Sequence, residues 1–434
     1  MKREELIGLN LMVGVLVNIR IVQGRREIGG NCIRIEDKDR VLIFDQGIRF
    51  SIFRKFFTRN IEPFGIPELR QLQIIPSEEI LEDADSIYIS HFHLDHLGLL
   101  QNLPVKSKIK VPSMRIFKLF EKWYQFSSSW LKYVPPRYST QISEVELMKS
   151  DENNVVAVPV KHSAYPSYGY LYFGSDETMF YTGDFRLTSI VNENSGLKMY
   201  ETSVIEYFED NRDLKIDTLI IEGTNFGRII TPIEKDTIKS IIERMADEMI
   251  IFAVHPLEIE LILLVFMELK KLGKKIVIAC ERLAEFLDEN IRQLSEAEAI
   301  LDDIFVLIDT VTKGVIFNSI DILSIESEPT KYAVIVNVRR IIDSLRLFDI
   351  EKIPLGSPVI LLTSEPFEEE EVHGEEILLR WLNYYGFQPY RARISGHYYP
   401  FEFKTIIKTL KPKKIIPIHT RRPELMHELF SRII

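Results

Sequence analysis

Residues 89 to 100 read ISHFHLDHLGLL, which places His91, His93, Asp95 and His96 within six positions of a chain that has only nine histidines in 434 residues. Imidazole and carboxylate are borderline-hard donors that suit Zn²⁺, and with open positions also Mn²⁺ or Fe²⁺. On a continuous strand His91, His93 and Asp95 would share one face and His96 would point away. If the chain instead turns into a helix at Leu94, all four converge on one pocket.

Three more strand ends offer partners. Val155–Val160 runs into Lys161-His162, Met179–Tyr181 into Thr182-Gly183-Asp184, and KKIIPIH ends in His419. Together with the cluster these residues are consistent with two metals sharing the Asp184 carboxylate. Such a pair can activate water and stabilise both the attacking and the leaving oxygen of a phosphoester.

The elements that must position these groups change character along the chain. The first 215 residues read as apolar runs separated by turns: 15–22, 32–36, 41–45, 87–90, 107–111, 155–160, 169–173 and 179–181. An aromatic-rich amphipathic helix is expected over 113–133, packing on the core. From about 216 the pattern alternates strands with longer helices: strands at 216–223, 248–254, 274–280, 332–338 and 357–364, helices at 231–248, 257–273 and 281–294. That is a parallel α/β unit. Helices at 375–386 and 401–411 and the strand 413–419 close the chain, and Glu368–Glu371 reads as a solvated loop. The expected boundaries are 1–215, 216–370 and 371–434.

Composition sets bounds. A net charge of −10 with 27% charged residues speaks against a protein that coats nucleic acid, though not against a locally basic groove. Cys32 and Cys280 cannot form a disulfide framework and read as buried thiols. The opening MKREELIGLNLMVGVLVNIRI has glutamates in its charged region and no small-residue cleavage site, so a first strand and a cytoplasmic protein are expected. GRREIGGN is followed by a strand, which excludes a dinucleotide-binding glycine turn.

His91-Phe-His93-Leu-Asp95-His96 resembles the HxHxDH signature of the metallo-β-lactamase superfamily, and HSAYPSYGYLYF and FYTGDFR resemble its later motifs. The resemblance implies an αβ/βα four-layer sandwich with a dinuclear site. In it His91, His93 and His162 would hold one metal, Asp95, His96 and His419 the other, with Asp184 between them and Asp45 organising the histidine loop. LIIEGTN, the α/β insertion and RISGHYYP…IIPIHT resemble the β-CASP branch, whose ribonuclease J-like members process RNA. That implies two divalent ions (Zn²⁺, or Mn²⁺), RNA or DNA as partner, a homodimer, and a metal-bridging hydroxide as nucleophile. Glu222 would orient a ligand histidine, and His397 would contact phosphate and act as general acid. The sequence departs from the branch at His255-Pro256, where the resembling enzymes place Ser-Asn to grip a phosphate. It departs again at the Tyr-Tyr after His397 and the Thr-Arg-Arg after His419. His255 and Arg421 or Arg422 are then the candidates for replacement phosphate contacts. The expected function is an RNA-cleaving hydrolase. The alternatives are a DNA nuclease of the same fold, a hydrolase of a small ester, lactone or phosphodiester, and a non-catalytic metal-binding subunit.

Overall fold

The computed structural model describes residues 17–58, 61–125, 141–191, 199, 202–292, 302–308, 315–363 and 369–434. Residues 1–16 of the opening stretch, the ends of the helices expected at 113–133 and 281–294 and Glu368 lie outside them. A six-stranded sheet is built in chain order from β1 (Asn18–Gln23), β2 (Cys32–Asp37), β3 (Arg40–Phe44), β4 (Ser86–Tyr88), β5 (Lys108–Val111) and β6 (Ile142–Glu144). Its first three strands are antiparallel and β3 to β6 are parallel. A second sheet begins with β7 (Val155–Pro159), β8 (Tyr168–Phe173), β9 (Thr178–Tyr181) and β10 (Thr218–Glu222).

The chain then leaves the sandwich. β11 (Ile250–Val254), β12 (Lys275–Ile278), β13 (Ile304–Leu307), β14 (Asn318–Ile320), β15 (Tyr332–Asn337), β16 (Pro358–Leu361) and β17 (Gln388–Arg391) form a separate seven-stranded sheet. Its order is β14-β13-β12-β15-β11-β16-β17, and every neighbouring pair is parallel. On return, β18 (Lys414–Ile418) pairs with β10 and completes the second sheet in the order β18-β10-β9-β8-β7.

Alternation along the strands explains the stacking. Leu42 and Phe44 of β3, Tyr170 and Tyr172 of β8 and Ile220 of β10 fill the space between the two core sheets. Their neighbours face outward: Ile43 belongs to one buried cluster with Leu97, Ile116 and Phe117, while Leu171, Leu219 and Ile221 belong to another with Phe208, Phe403, Ile406 and Met426 of the outer helices. Each such fully buried side chain contributes about 2 kcal/mol. Helices therefore cover both outer faces, and the core is the expected αβ/βα four-layer sandwich with a parallel α/β insertion.

Four sequence expectations need correction. Strand 216–223 was expected to open the inserted unit, but β10 pairs with β9 and β18 of the core. Residues 371–391 were expected in the returning core, yet β17 pairs with β16, and Leu382 and Phe387 pack into the insertion. An apolar run reads the same in either sheet, and only its partners distinguish them. We therefore place the insertion between Glu222 and Ala392. Glu369–Glu371 are helical, at the start of Glu369–Tyr384, where acidic residues suit the positive end of the helix dipole. Cys32 is buried as expected, whereas Cys280 is half-buried. Among the described residues no helix is long and apolar enough to cross a membrane.

Candidate metal centre

After β4 the chain stays extended through Ser90 and His91, then makes a single helical turn, Leu94–Leu97, with His93 at its N-cap. Gly98 ends the turn with φ 68°, and a Cβ there would lie 2.0 Å from the Gln46 carbonyl oxygen. This turn swings Asp95 and His96 back toward His91 and His93. His162 follows β7, Asp184 follows β9, Glu222 ends β10 and His419 follows β18. The parallel strands β9, β10 and β18 thus present their C-terminal ends to the histidine loop, the edge where open α/β sheets collect ligands.

All seven expected donors meet. Ligand atoms of His91, His93 and His162 lie within 4.8 Å of one another, as do those of Asp95, His96 and His419. Asp184 groups with His91 and His96, and again with His162 and His397, so it reaches both sets.

The outer nitrogens of four rings are tied down. His91 Nδ1 is 3.0 Å from the Ser90 hydroxyl, His96 Nδ1 is 2.8 Å from Asp45 Oδ2, His162 Nδ1 donates to the Gly396 carbonyl at 2.8 Å, and His419 Nδ1 is 2.9 Å from Thr224 Oγ1. Such bonds fix the tautomer and leave Nε2 as the donor atom toward a cation. His93 Nδ1 lies 3.1 Å from His91 Nε2 and 3.2 Å from His162 Nε2. Those separations approach the roughly 3.4 Å tetrahedron edge implied by Zn–N bonds of about 2.0–2.1 Å.

The fit to a cation can be tested on the protein's own atoms. Asp184 Oδ1 is buried and lacks a hydrogen-bond partner, while the buried His96 Nε2 faces Asp184 Oδ2 at 3.1 Å. Leaving a buried polar atom unpaired costs about 1–3 kcal/mol, and a divalent ion beside Asp184 Oδ1 would remove that cost. Electrostatics agree. Burial, with the neighbouring imidazoles, drives His91 and His162 well below the usual imidazole range, and burial takes His93 down to about 4. These three rings are neutral and ready to coordinate. Burial opposes charge on the remaining groups as well, but Asp184 outweighs it and raises His96 and His419. In turn the hydrogen bond from His419 holds Asp95 low, and the charges of His419 and His96 hold Asp184 low. The site therefore has the donor set of a divalent-metal centre.

Asp45 sits behind this centre with φ 58°, accepting from Ser90 N–H and the Ser90 hydroxyl at 2.7 Å each, from His96, and from the Tyr181 hydroxyl. Glu222 was expected to orient a ligand histidine. It instead contacts His397, Oε1 to Nδ1 at 3.1 Å, and reaches His419 only through the Thr224 hydroxyl, which donates to Glu222 Oε2 at 2.7 Å. Sequence reasoning missed Thr224, whose one signal was its place two residues after the motif acid. It missed Ser90 and Tyr181 as well.

The centre opens into a cleft of about 380 Å³ between core and insertion, whose lining includes Arg228, Arg391, Arg393, His397 and Tyr399. A larger cavity of about 830 Å³ lies at the opposite end of β3 to β5 and contains none of the donors. His255 packs on His93 with ring centroids 5.6 Å apart. Arg421 and Arg422 are exposed and do not line the cleft. His373 and His427 are surface residues.

The histidine loop after β4 and the α/β excursion between β10 and β18 are the two features that carry the resemblance: the chain is similar to the β-CASP branch of the metallo-β-lactamase superfamily. A crystal structure of a protein of unknown function from Enterococcus faecalis shares this fold, with TM-score 0.70 and 18% identity over 94% of this chain and 95% of that one. Among curated proteins the chain is similar to cleavage and polyadenylation specificity factor 73 of Drosophila melanogaster, 30% identical over 95 residues, which is 22% of this chain and 12% of that protein. It is also similar to two proteins of Methanocaldococcus jannaschii. Transcription termination factor FttA is 28% identical over 87 residues, 20% of this chain and 12% of the factor. Probable RNase MJ4 is 25% identical over 247 residues, 51% of this chain and 48% of that protein. The match thus spans about half or less of each relative. No protein-family model matches the chain.

Proposed function

We propose that the chain is a metal-dependent hydrolase that cleaves RNA phosphodiesters. The observation that carries this reading is the position of Asp184, within donor reach of both histidine sets. His91, His93 and His162 would hold one divalent ion, Asp95, His96 and His419 a second, with Asp184 shared; the nitrogen-rich donor set suits Zn²⁺ and also accepts Mn²⁺. Bound there, such ions supply a nucleophile at neutral pH and offset the charge that grows on phosphate oxygens.

The chain's own groups do the rest. Asp45 holds His96 and the Ser90 hydroxyl, and through them the histidine loop. Thr224 and Glu222 lock His397, which lines the cleft, so that its ring can bind a phosphate oxygen and pass a proton to the leaving alkoxide. RNA is favoured over a small ester because arginines line the cleft, and because the relatives carry names such as RNase and cleavage and polyadenylation specificity factor.

The test is incubation of Zn²⁺- or Mn²⁺-loaded protein with end-labelled single-stranded RNA and DNA of matched sequence. RNA should be shortened and a chelator should stop it. Cleavage of DNA alone would move the assignment to a DNA nuclease. Intact RNA and DNA with the metals bound would overturn nucleic acid as the substrate.

A further inference from the structure

Arg186 stands in the core, two residues beyond Asp184, and Glu260 lies in the first turn of the insertion helix Ile259–Lys271. Their side chains form an ion pair almost wholly shut off from water, at 4% and 0% exposure. Burial strips solvation from both charges, and their attraction does little more than offset that loss. The pair therefore adds little net stability. Its effect lies in the geometry it fixes.

That geometry concerns the metal centre. The Arg186 N–H donates to the Lys161 carbonyl at 2.7 Å, in a bridge between the segments that carry Asp184 and His162. The guanidinium reaches the Thr188 carbonyl from Nε at 3.1 Å, the Ser395 carbonyl from Nη1 at 3.4 Å and the His162 carbonyl from Nη2 at 3.5 Å. Glu260 Oε2 takes the ion pair, while Oε1 accepts from the Ser189 hydroxyl and from the N–H groups of Ile190 and Val191, the last at 3.0 Å. One ion pair thus gathers the segments that carry His162, Asp184 and His397. The insertion adds a second hold, a bridge between Glu258 and Ala164, two residues beyond His162. Core and insertion also share one apolar cluster, in which Ile43, Leu97 and Phe117 join Phe252, Phe266 and Leu287. Close packing of this kind seats the insertion firmly, so Glu260 acts from a fixed position.

We propose that Glu260 is a positioning residue of the metal centre: through Arg186 it sets the His162 and Asp184 segments, so that the insertion completes the ion site of His91, His93 and His162. The proposal rests on the reading of the seven donors as a two-ion centre.

Glu260→Gln is the test. The amide oxygen still accepts from Ser189, Ile190 and Val191, whereas the amide nitrogen meets the Arg186 guanidinium donor to donor. Groups that orient metal ligands contribute about 10–100-fold in metal affinity. In chelator competition the full chain carrying Glu260→Gln should bind one Zn²⁺ ion about 10–100-fold more weakly than wild type. The visible d–d bands of the Co²⁺-loaded variant should shift as well. Glu285→Gln is the control. Glu285 pairs with Lys122 across the same two units, on helices Glu281–Ile291 and Met114–Gln125 that carry no donor. This variant should bind both ions with the affinities and spectrum of wild type.

If the stranded guanidinium keeps Glu260→Gln from folding, Arg186→Met combined with Glu260→Gln removes both charges, and the same losses are expected. Wild-type affinities and spectrum in either folded variant overturn the proposal. So does an equal loss in Glu285→Gln, and so does a double variant that cannot fold, which would make the pair structural alone. Wild-type protein that binds fewer than two ions overturns the two-ion reading and this proposal together. Neither readout requires turnover, so a centre that behaves as described but leaves RNA intact sinks the ribonuclease reading alone.

Discussion

Glu222 and His397 are separated by 175 residues in the chain, yet the carboxylate Oε1 stands 3.1 Å from the imidazole Nδ1. The whole insertion lies between them. The Thr224 hydroxyl joins the pair, 3.1 Å from His397 Nδ1 and 2.9 Å from His419 Nδ1, while donating to Glu222 Oε2. One hydroxyl therefore links a cleft imidazole, a metal-centre imidazole and a fully buried acid. Thr224→Val keeps the shape and removes the link. Loss of an outer partner of this kind costs about 10–100-fold in metal affinity or activity. The variant should therefore keep the native fold, as judged by its circular dichroism, and lose that much RNA cleavage; a wild-type rate would show that the hydroxyl orients nothing of consequence.

Asp45→Asn tests the support of the histidine loop. Asp45 adopts left-handed backbone, which asparagine tolerates, so the backbone is not perturbed. An amide nitrogen would face donors from Ser90, His96 and Tyr181, and one of them must go unpaired. The expected loss of stability is about 1–3 kcal/mol in urea unfolding. The measured metal content should fall first at the Asp95/His96/His419 side. Full stability with two bound ions would mean that the loop holds itself.

Much of this was legible in the sequence, for physical reasons. The loop His91–His96 could be read because its donors sit within six positions, and the strands that present His162, Asp184 and His419 are continuous apolar runs buried on both faces. Among the strands that escaped notice, β6, β14 and β17 lie at sheet edges, bury little and carry no apolar signal, whereas β13 is interior and was missed although its residues IFVL are apolar. The helix Val204–Asp210 was missed too, although its Ser203–Glu206 capping box was available as a start signal. Thr224 was illegible because its partners come from Glu222, His397 and His419, which only the tertiary fold brings together. The assignment of β10 to the core failed for the same reason.

Asp37 sets an acid limit on stability. Burial pushes its carboxyl up, but hydrogen bonds from Ser175 and the Tyr172 hydroxyl outweigh this and hold it below the usual range. A carboxyl lowered in the folded state stabilises fully above its unfolded pKa of about 4, and that contribution is lost as pH falls through the lower folded value. Asp37→Asn should therefore be about 1–3 kcal/mol less stable than wild type at pH 7. In urea melts the gap should narrow at pH 3 and below. An equal gap at both pH values would contradict this account.

Metal should stabilise the fold, because the seven donors come together only in the native state. A ligand that binds the native state alone at 100 times its Kd adds about 2.7 kcal/mol. Exhaustive chelation should lower the melting temperature by several degrees, and Zn²⁺ should restore it. A melting temperature indifferent to both treatments would speak against a bound ion.

The central claim is that Asp184 joins two metal-binding sets into one hydrolytic centre. The direct measurement is the rate of single-stranded RNA cleavage by Asp184→Asn protein beside wild type, each loaded with the same metal. The account predicts a loss of at least about 100-fold, at the upper end of what outer partners alone contribute. Equal rates would contradict it.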